Sequence, residues 1–105
     1  MRELRIPFGV EGDDRATEMI RFWLAHDKPH MTLLLGMYED ADDCEVDELF
    51  AWGSILSDIA QHVANGLEKS HGWDFTESKK KIAAYFNQAI TDRPPELEGE
   101  YPDGA

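Results

Sequence analysis

Asp58 and His62 stand four residues apart in a stretch of helical period, which sets a carboxylate beside an imidazole on one helical face. A carboxylate so placed raises the basicity of the imidazole and selects its tautomer, as a general base or a metal ligand requires. These two residues are the candidate catalytic pair. The same spacing also makes an ordinary exposed helical ion pair, worth about 0.2–0.5 kcal/mol. Ser54 and Ser57 share the stretch, but a serine nucleophile needs a sharp turn or oxyanion donors that nothing nearby signals. His26, His30 and His71 are the other histidines. His26 and His30 flank a turn, with Pro29 between them, and can approach across it. With no further ligands in view, no metal site and no cofactor are expected.

The element that must position this pair runs from Leu49 to Leu67. Leu49, Trp52, Leu56, Ile59, Val63 and Leu67 recur at steps of three and four, with Gly53 and Ala60 on the same face. That stripe is expected to face the core. Phe50 and Ile55 fall away from it, and such an extra apolar flank suggests a second packing partner. Trp23, Phe50, Trp52 and Ile55 are therefore the candidate interface residues.

Ahead of this helix, Leu4, Ile6 and Phe8 alternate with Arg5 and Pro7 in an arm (residues 1–15) expected to be extended, since Pro7 and Gly9 oppose a helix. Ala16 to Ala25 reads either as a helix capped by Asp13 or Asp14, or as a strand. The turn His26-Asp27-Lys28-Pro29 and the apolar run Met31 to Tyr38, with Gly36 as a bulge, make an antiparallel hairpin the more economical reading. Glu39 to Glu48 holds seven acids in ten residues. Asp40 and Asp42 begin like a calcium loop, but Cys44, Glu45 and Ala51 occupy positions where a ligand, a glycine and the closing Glu belong. A solvated acidic loop is expected instead.

Beyond the central helix, Lys69, His71 and Gly72 mark a helix end, and Asp74-Phe-Thr-Glu77 has the form of a capping box. Phe75, Ile82, Ala83, Phe86, Ala89 and Ile90 make the stripe of a second helix, which Arg93-Pro94-Pro95 stops. Residues 93–105 are expected to be an acidic disordered tail.

A chain of 105 residues is one domain. Its net charge of −12 opposes binding to nucleic acid and to anionic membrane surfaces. The single cysteine, Cys44, cannot close an internal disulfide, and its acidic neighbours disfavour a reactive thiolate. No apolar run is long enough to span a membrane, and the N-terminus has no signal-peptide core. A cytoplasmic protein is the default expectation.

The pieces Arg2-Glu-Leu-Arg-Ile-Pro7, Glu18-Met-Ile-Arg-Phe-Trp-Leu-Ala25 and Trp52-Gly-Ser-Ile-Leu-Ser-Asp58-Ile-Ala-Gln-His62-Val-Ala64 resemble a family of short bacterial proteins catalogued as a domain of unknown function. The Trp-Gly and Asp-x-x-x-His pieces are the most specific part, and the acidic loop is longer than the family pattern. The resemblance implies one compact domain with a strand pair ahead of its helices, and brings no activity with it.

The sequence thus predicts an α+β domain over residues 1–92, an antiparallel β-hairpin packed with two amphipathic helices. Two strands alone are marginal and leave open edges, and both strands read as apolar on two faces. Homodimerisation into a four-stranded sheet answers these observations. The functional expectation is a non-catalytic protein-interaction or regulatory module, a homodimer with room for a further protein partner. The alternative is a small-molecule-binding or minor enzymatic domain using Asp58 and His62.

Overall fold

His26 and Asp27 have positive φ angles of 53° and 61°, the two left-handed positions of a type I′ turn, whose twist matches that of the strands it joins. In the computed structural model, which describes residues 1–38 and 47–102, this turn joins β1 (Ile20–Ala25) to β2 (Lys28–Leu33) in an antiparallel hairpin. The expected hairpin is present, with a two-residue turn instead of four. Asp and His tolerate the left-handed region better than most residues, but Asn and Gly tolerate it best. The double change His26→Asn with Asp27→Gly is expected to stabilise the fold by about 1 kcal/mol. A thermal melt would register this as a midpoint raised by several degrees.

The register determines what each face carries. Ile20 lies opposite Leu33, Phe22 opposite Met31 and Leu24 opposite Pro29. Side chains alternate along a strand, so these six apolar residues share one face. Arg21, Trp23, Ala25, Lys28, His30 and Thr32 share the other. One face is therefore apolar throughout, and the other holds Trp23 as its single large apolar residue, where the alternation in sequence suggested two apolar faces.

β2 ends at Leu33, short of the expected Tyr38. Gly36 follows it as a left-handed residue (φ 88°) outside the strand, not as a bulge within it. A third strand, β3 (Glu98–Glu100), pairs in parallel with β2 and lies in the segment expected to be a disordered tail. Backbone pairing requires no apolar side chain, which is why the hydropathy pattern gave no sign of it. Gly99 makes the approach possible: its φ is 134°, and a Cβ there would run into the Met31 carbonyl. With β3 on its free edge, β2 is the central strand of a three-stranded sheet. Two hairpins therefore cannot meet along β2 to form the expected four-stranded sheet.

α1 (Glu48–His71) begins where Asp47 Oδ1 accepts from the Phe50 N–H at 2.7 Å, and closes at Gly72, left-handed with φ 71°. α2 (Phe75–Asp92) begins where Asp74 Oδ2 accepts from the Glu77 N–H at 2.9 Å. It ends ahead of Pro94-Pro95, as the residue before a proline resists helical geometry. The three-residue link turns α2 back along α1. Between them Gly53, Leu56 and Ala60 face Ile82, Ala83 and Phe86 across a groove of about 480 Å³.

The expected core stripe of α1 is not covered. Ala51 and Ala64 are the buried apolar residues among those described, whereas Leu56, Ile59 and Val63 are 44–45% exposed and Leu49 is 85% exposed. Small side chains let a second helix approach closely, and α2 lies along the flank of Gly53 and Ala60, beside the stripe. Nor does the sheet lie on the helices, as the sequence led us to expect. Among the described residues, elements come within 8 Å (Cα to Cα) across β1–β2, across β2–β3 and between α1 and α2, and no strand does so with a helix.

The arm carries one 3₁₀ turn, Phe8–Val10, which Pro7 permits by standing just ahead of it. Its Leu4, Ile6 and Phe8 are all exposed rather than laid on a core. Glu3 reaches Arg21 at 3.6 Å. Arg21 also donates twice to Glu18, and that hydrogen bonding lifts the guanidinium pKa above its ordinary value.

Candidate functional site

Asp58 and His62 project from the middle of α1, one turn apart, and both are exposed. Among the described residues no hydrogen bond or ion pair joins them. Asp58 lines a depression of about 370 Å³ together with Phe50, Gly53, Ser54 and Ser57; His62 does not. Among the described residues the five that line it all belong to α1, and no second described element supplies an opposing group. The Ser57 hydroxyl accepts from Gln61 Nε2 at 3.1 Å.

His26 and His30 approach across the hairpin, with ring centroids 6.3 Å apart in an edge-on arrangement. His30 Nε2 lies 3.1 Å from the Ala25 carbonyl, which can only accept and so holds the proton on that nitrogen. Among the described residues no group of three or more His, Cys, Asp or Glu side chains is arranged to hold a metal ion. The acidic run at 39–46, with Cys44 and the calcium-loop spacing weighed there, lies outside the described residues. No helix among those described is long and apolar enough to cross a membrane.

The candidate interface residues divide between the two halves of the chain. Trp23 is half-buried on the mixed face of the sheet, while Trp52 and Ile55 are half-buried on α1 and Phe50 is exposed beside them. The indole N–H of Trp52 donates to Glu48 Oε2 at 2.7 Å. The same carboxylate accepts from the Gly36 N–H at 2.8 Å and, through Oε1, from the Tyr38 N–H at 3.0 Å. Glu48 thus ties the chain leaving β2 to the first turn of α1.

Sequence reasoning counted Glu48 only as the last acid of the 39–48 run and missed this junction. One signal was available: Glu48 and Trp52 are four apart, within reach along a helix. The two backbone donors belong to a loop whose path no periodicity reports.

A family model described as a domain of unknown function, DUF5076, matches residues 3–94, and the chain belongs to that family. No curated protein matches it. A solved structure from the photosynthetic bacterium Rhodopseudomonas palustrus, described as a "putative pyruvate dehydrogenase", is similar over 98% of this chain and 97% of its own. The TM-score is 0.66 and the identity 19%, a likeness of fold alone.

Proposed function

We propose that the chain is a bacterial, cytoplasmic protein-interaction module without catalysis of its own, whose first partner is a second copy of itself. The observation that carries this reading is surplus exposed surface, to which Phe22, Leu24, Phe50, Leu56, Ile59 and Val63 contribute large apolar side chains. A folded monomer of 12.0 kDa exposes about 6,000 Å², whereas this chain exposes 9365 Å². The excess of roughly 3,400 Å² is about four times what one partner contributes to a standard interface. The radius of gyration, 15.8 Å, likewise exceeds the roughly 13 Å expected of a compact chain of this length.

Surplus of this size belongs to obligate assemblies, whose interfaces resemble a domain core cut in two. Trp23, Phe50, Trp52 and Ile55 are proposed to serve it, with a further protein partner engaged by the assembled dimer. Light scattering with size exclusion tests the reading. A mass twice 12.0 kDa is expected, and a well-folded species at the single-chain mass would defeat it.

One observation supports a second reading: Asp58 lines a depression with two serines. On that reading Asp58 and His62 engage a small molecule, and a thermal-shift panel of organic acids, amines, nucleotides and divalent ions would find it. A ligand at about 100 times its dissociation constant adds roughly 2.7 kcal/mol. A shift that survives both Asp58→Asn and His62→Gln would remove these residues from the site.

A further inference from the structure

The order β1-β2-β3 leaves the sheet with two edges, β1 and β3. β3 runs for three residues, carries Glu98 and Glu100, and passes through Gly99 at φ 134°, outside the strand range. Shortness and charge of this kind discourage a further strand. β1 runs for six residues, Ile-Arg-Phe-Trp-Leu-Ala, without the proline, lysine or glycine bulge that ordinarily guards an edge. Its one charge, Arg21, is already engaged by Glu18 and Glu3.

The hairpin determines which backbone groups face that open side. Across a two-residue turn the closing pair, here Ala25 and Lys28, exchanges both of its hydrogen bonds. Bonded pairs then alternate along the ladder, so the next are Trp23 with His30 and Arg21 with Thr32. The Leu34 N–H, donating to the Met19 carbonyl at 3.0 Å, continues the same series. The N–H and C=O of Ile20, Phe22 and Leu24 therefore point away from β2. Among the described residues no hydrogen bond outside the hairpin reaches them.

We propose that a second copy of the chain pairs with this edge, β1 antiparallel to β1, about a two-fold axis through Phe22. The inference rests on the homodimer reading above and specifies where the two copies join. In this register the strand is complementary to itself. Phe22 faces the partner's Phe22 and exchanges both hydrogen bonds with it. Ile20 faces the partner's Leu24, and Leu24 the partner's Ile20, again as bonded pairs. Every outward N–H and C=O of β1 is then satisfied, and the two sheets become one.

The side chains agree with this register. Between the bonded pairs, Arg21 comes opposite the partner's Trp23, where a guanidinium can lie over an indole. Moving the axis to Arg21 would set two arginines face to face and leave Leu24 beyond the end of the partner's strand. Ile20, Phe22 and Leu24 of both copies fall on one face, with Phe22 and the partner's Phe22 as an aromatic cross-strand pair. Charge also selects this edge in a chain of net charge −12. β1 has no acid, whereas pairing through β3 would align glutamates.

The test is amide hydrogen exchange on wild-type protein, read beside its mass in solution. An open edge leaves the Phe22 and Leu24 amides exchanging freely while β2 slows those of Trp23 and Ala25. A paired edge slows Phe22 and Leu24 to the rates of Trp23 and Ala25, and this loss of alternation is the expected result. Mixed dimers of carbon-13-labelled and unlabelled chains report the register, through an expected NOE between chains that joins the α protons of Arg21 and Trp23. A double-mass particle whose Phe22 and Leu24 amides exchange freely overturns the edge pairing and leaves the homodimer reading standing. Slowed amides without that NOE, or an NOE between chains joining the two Arg21 α protons, overturn it as well. A single-chain mass removes both the pairing and the homodimer.

Discussion

Ile59→Asp is expected to destabilise the protein by about 3 kcal/mol or more, far beyond what the position suggests in one chain. Ile59 is 44% exposed on α1, and a surface substitution of that kind ordinarily falls within about 0.5 kcal/mol. If a second copy covers the stripe, the change instead forfeits about 1.5–3 kcal/mol of apolar burial and places a carboxylate in an apolar contact with nothing to pair it. Urea unfolding at two protein concentrations separates the cases. The proposed homodimer predicts a wild-type midpoint that rises with concentration and a variant that is monomeric or unfolded at micromolar concentration. A variant within about 0.5 kcal/mol of wild type would mean that the stripe faces water.

The second large effect belongs to Glu48. Its carboxylate accepts from Gly36, Tyr38 and the Trp52 indole at 2.7–3.0 Å, and hydrogen bonds to a charged group contribute about 1.5–3 kcal/mol each where they are shielded. The junction is only part-buried, so water recovers some of that loss. Glu48→Ala is expected to cost about 3 kcal/mol. Glu48→Gln is expected to cost less, about 1–2 kcal/mol, because its amide oxygen can still serve two donors while its NH₂ confronts the third. Unfolding monitored by tryptophan emission reads both quantities, as Trp52 is one of the three donors. Equal losses in the two variants would indicate that the charge, not the geometry, holds the junction. No loss in either would remove Glu48 as the tether.

Much of the local structure was legible because its signals are local. Gly72, Asp74 and Pro94 mark where the helices end and begin, and each acts on backbone within a few residues of itself. The choice of strand over helix for β1 was also legible, because the His26-to-Pro29 turn demands a partner strand of similar length. β3 left no comparable trace. Its pairing joins Glu98 to His30, residues far apart in sequence, through backbone groups that every residue possesses.

The candidate site divides along the same line. The spacing of Asp58 and His62 is a property of the helix and could be read directly, but exposure and the absence of an opposing wall are properties of what packs nearby. The stripe from Leu49 to Leu67 is the sharpest instance. Periodicity identified an apolar face and assigned it to the core, because a one-dimensional pattern carries no information about what packs against it.

The sequence by itself determined the α+β class, the two helices, the hairpin and a strongly acidic chain. Those follow from nearest-neighbour sterics, side-chain period and summed charge, which require no knowledge of distant contacts. Tertiary structure alone decided that β2 is the central strand, that Glu48 ties the sheet to the end of α1, and that sheet and helices stand apart within a chain. These depend on backbone pairing and on three donors converging on one carboxylate, neither of which leaves a period in the sequence.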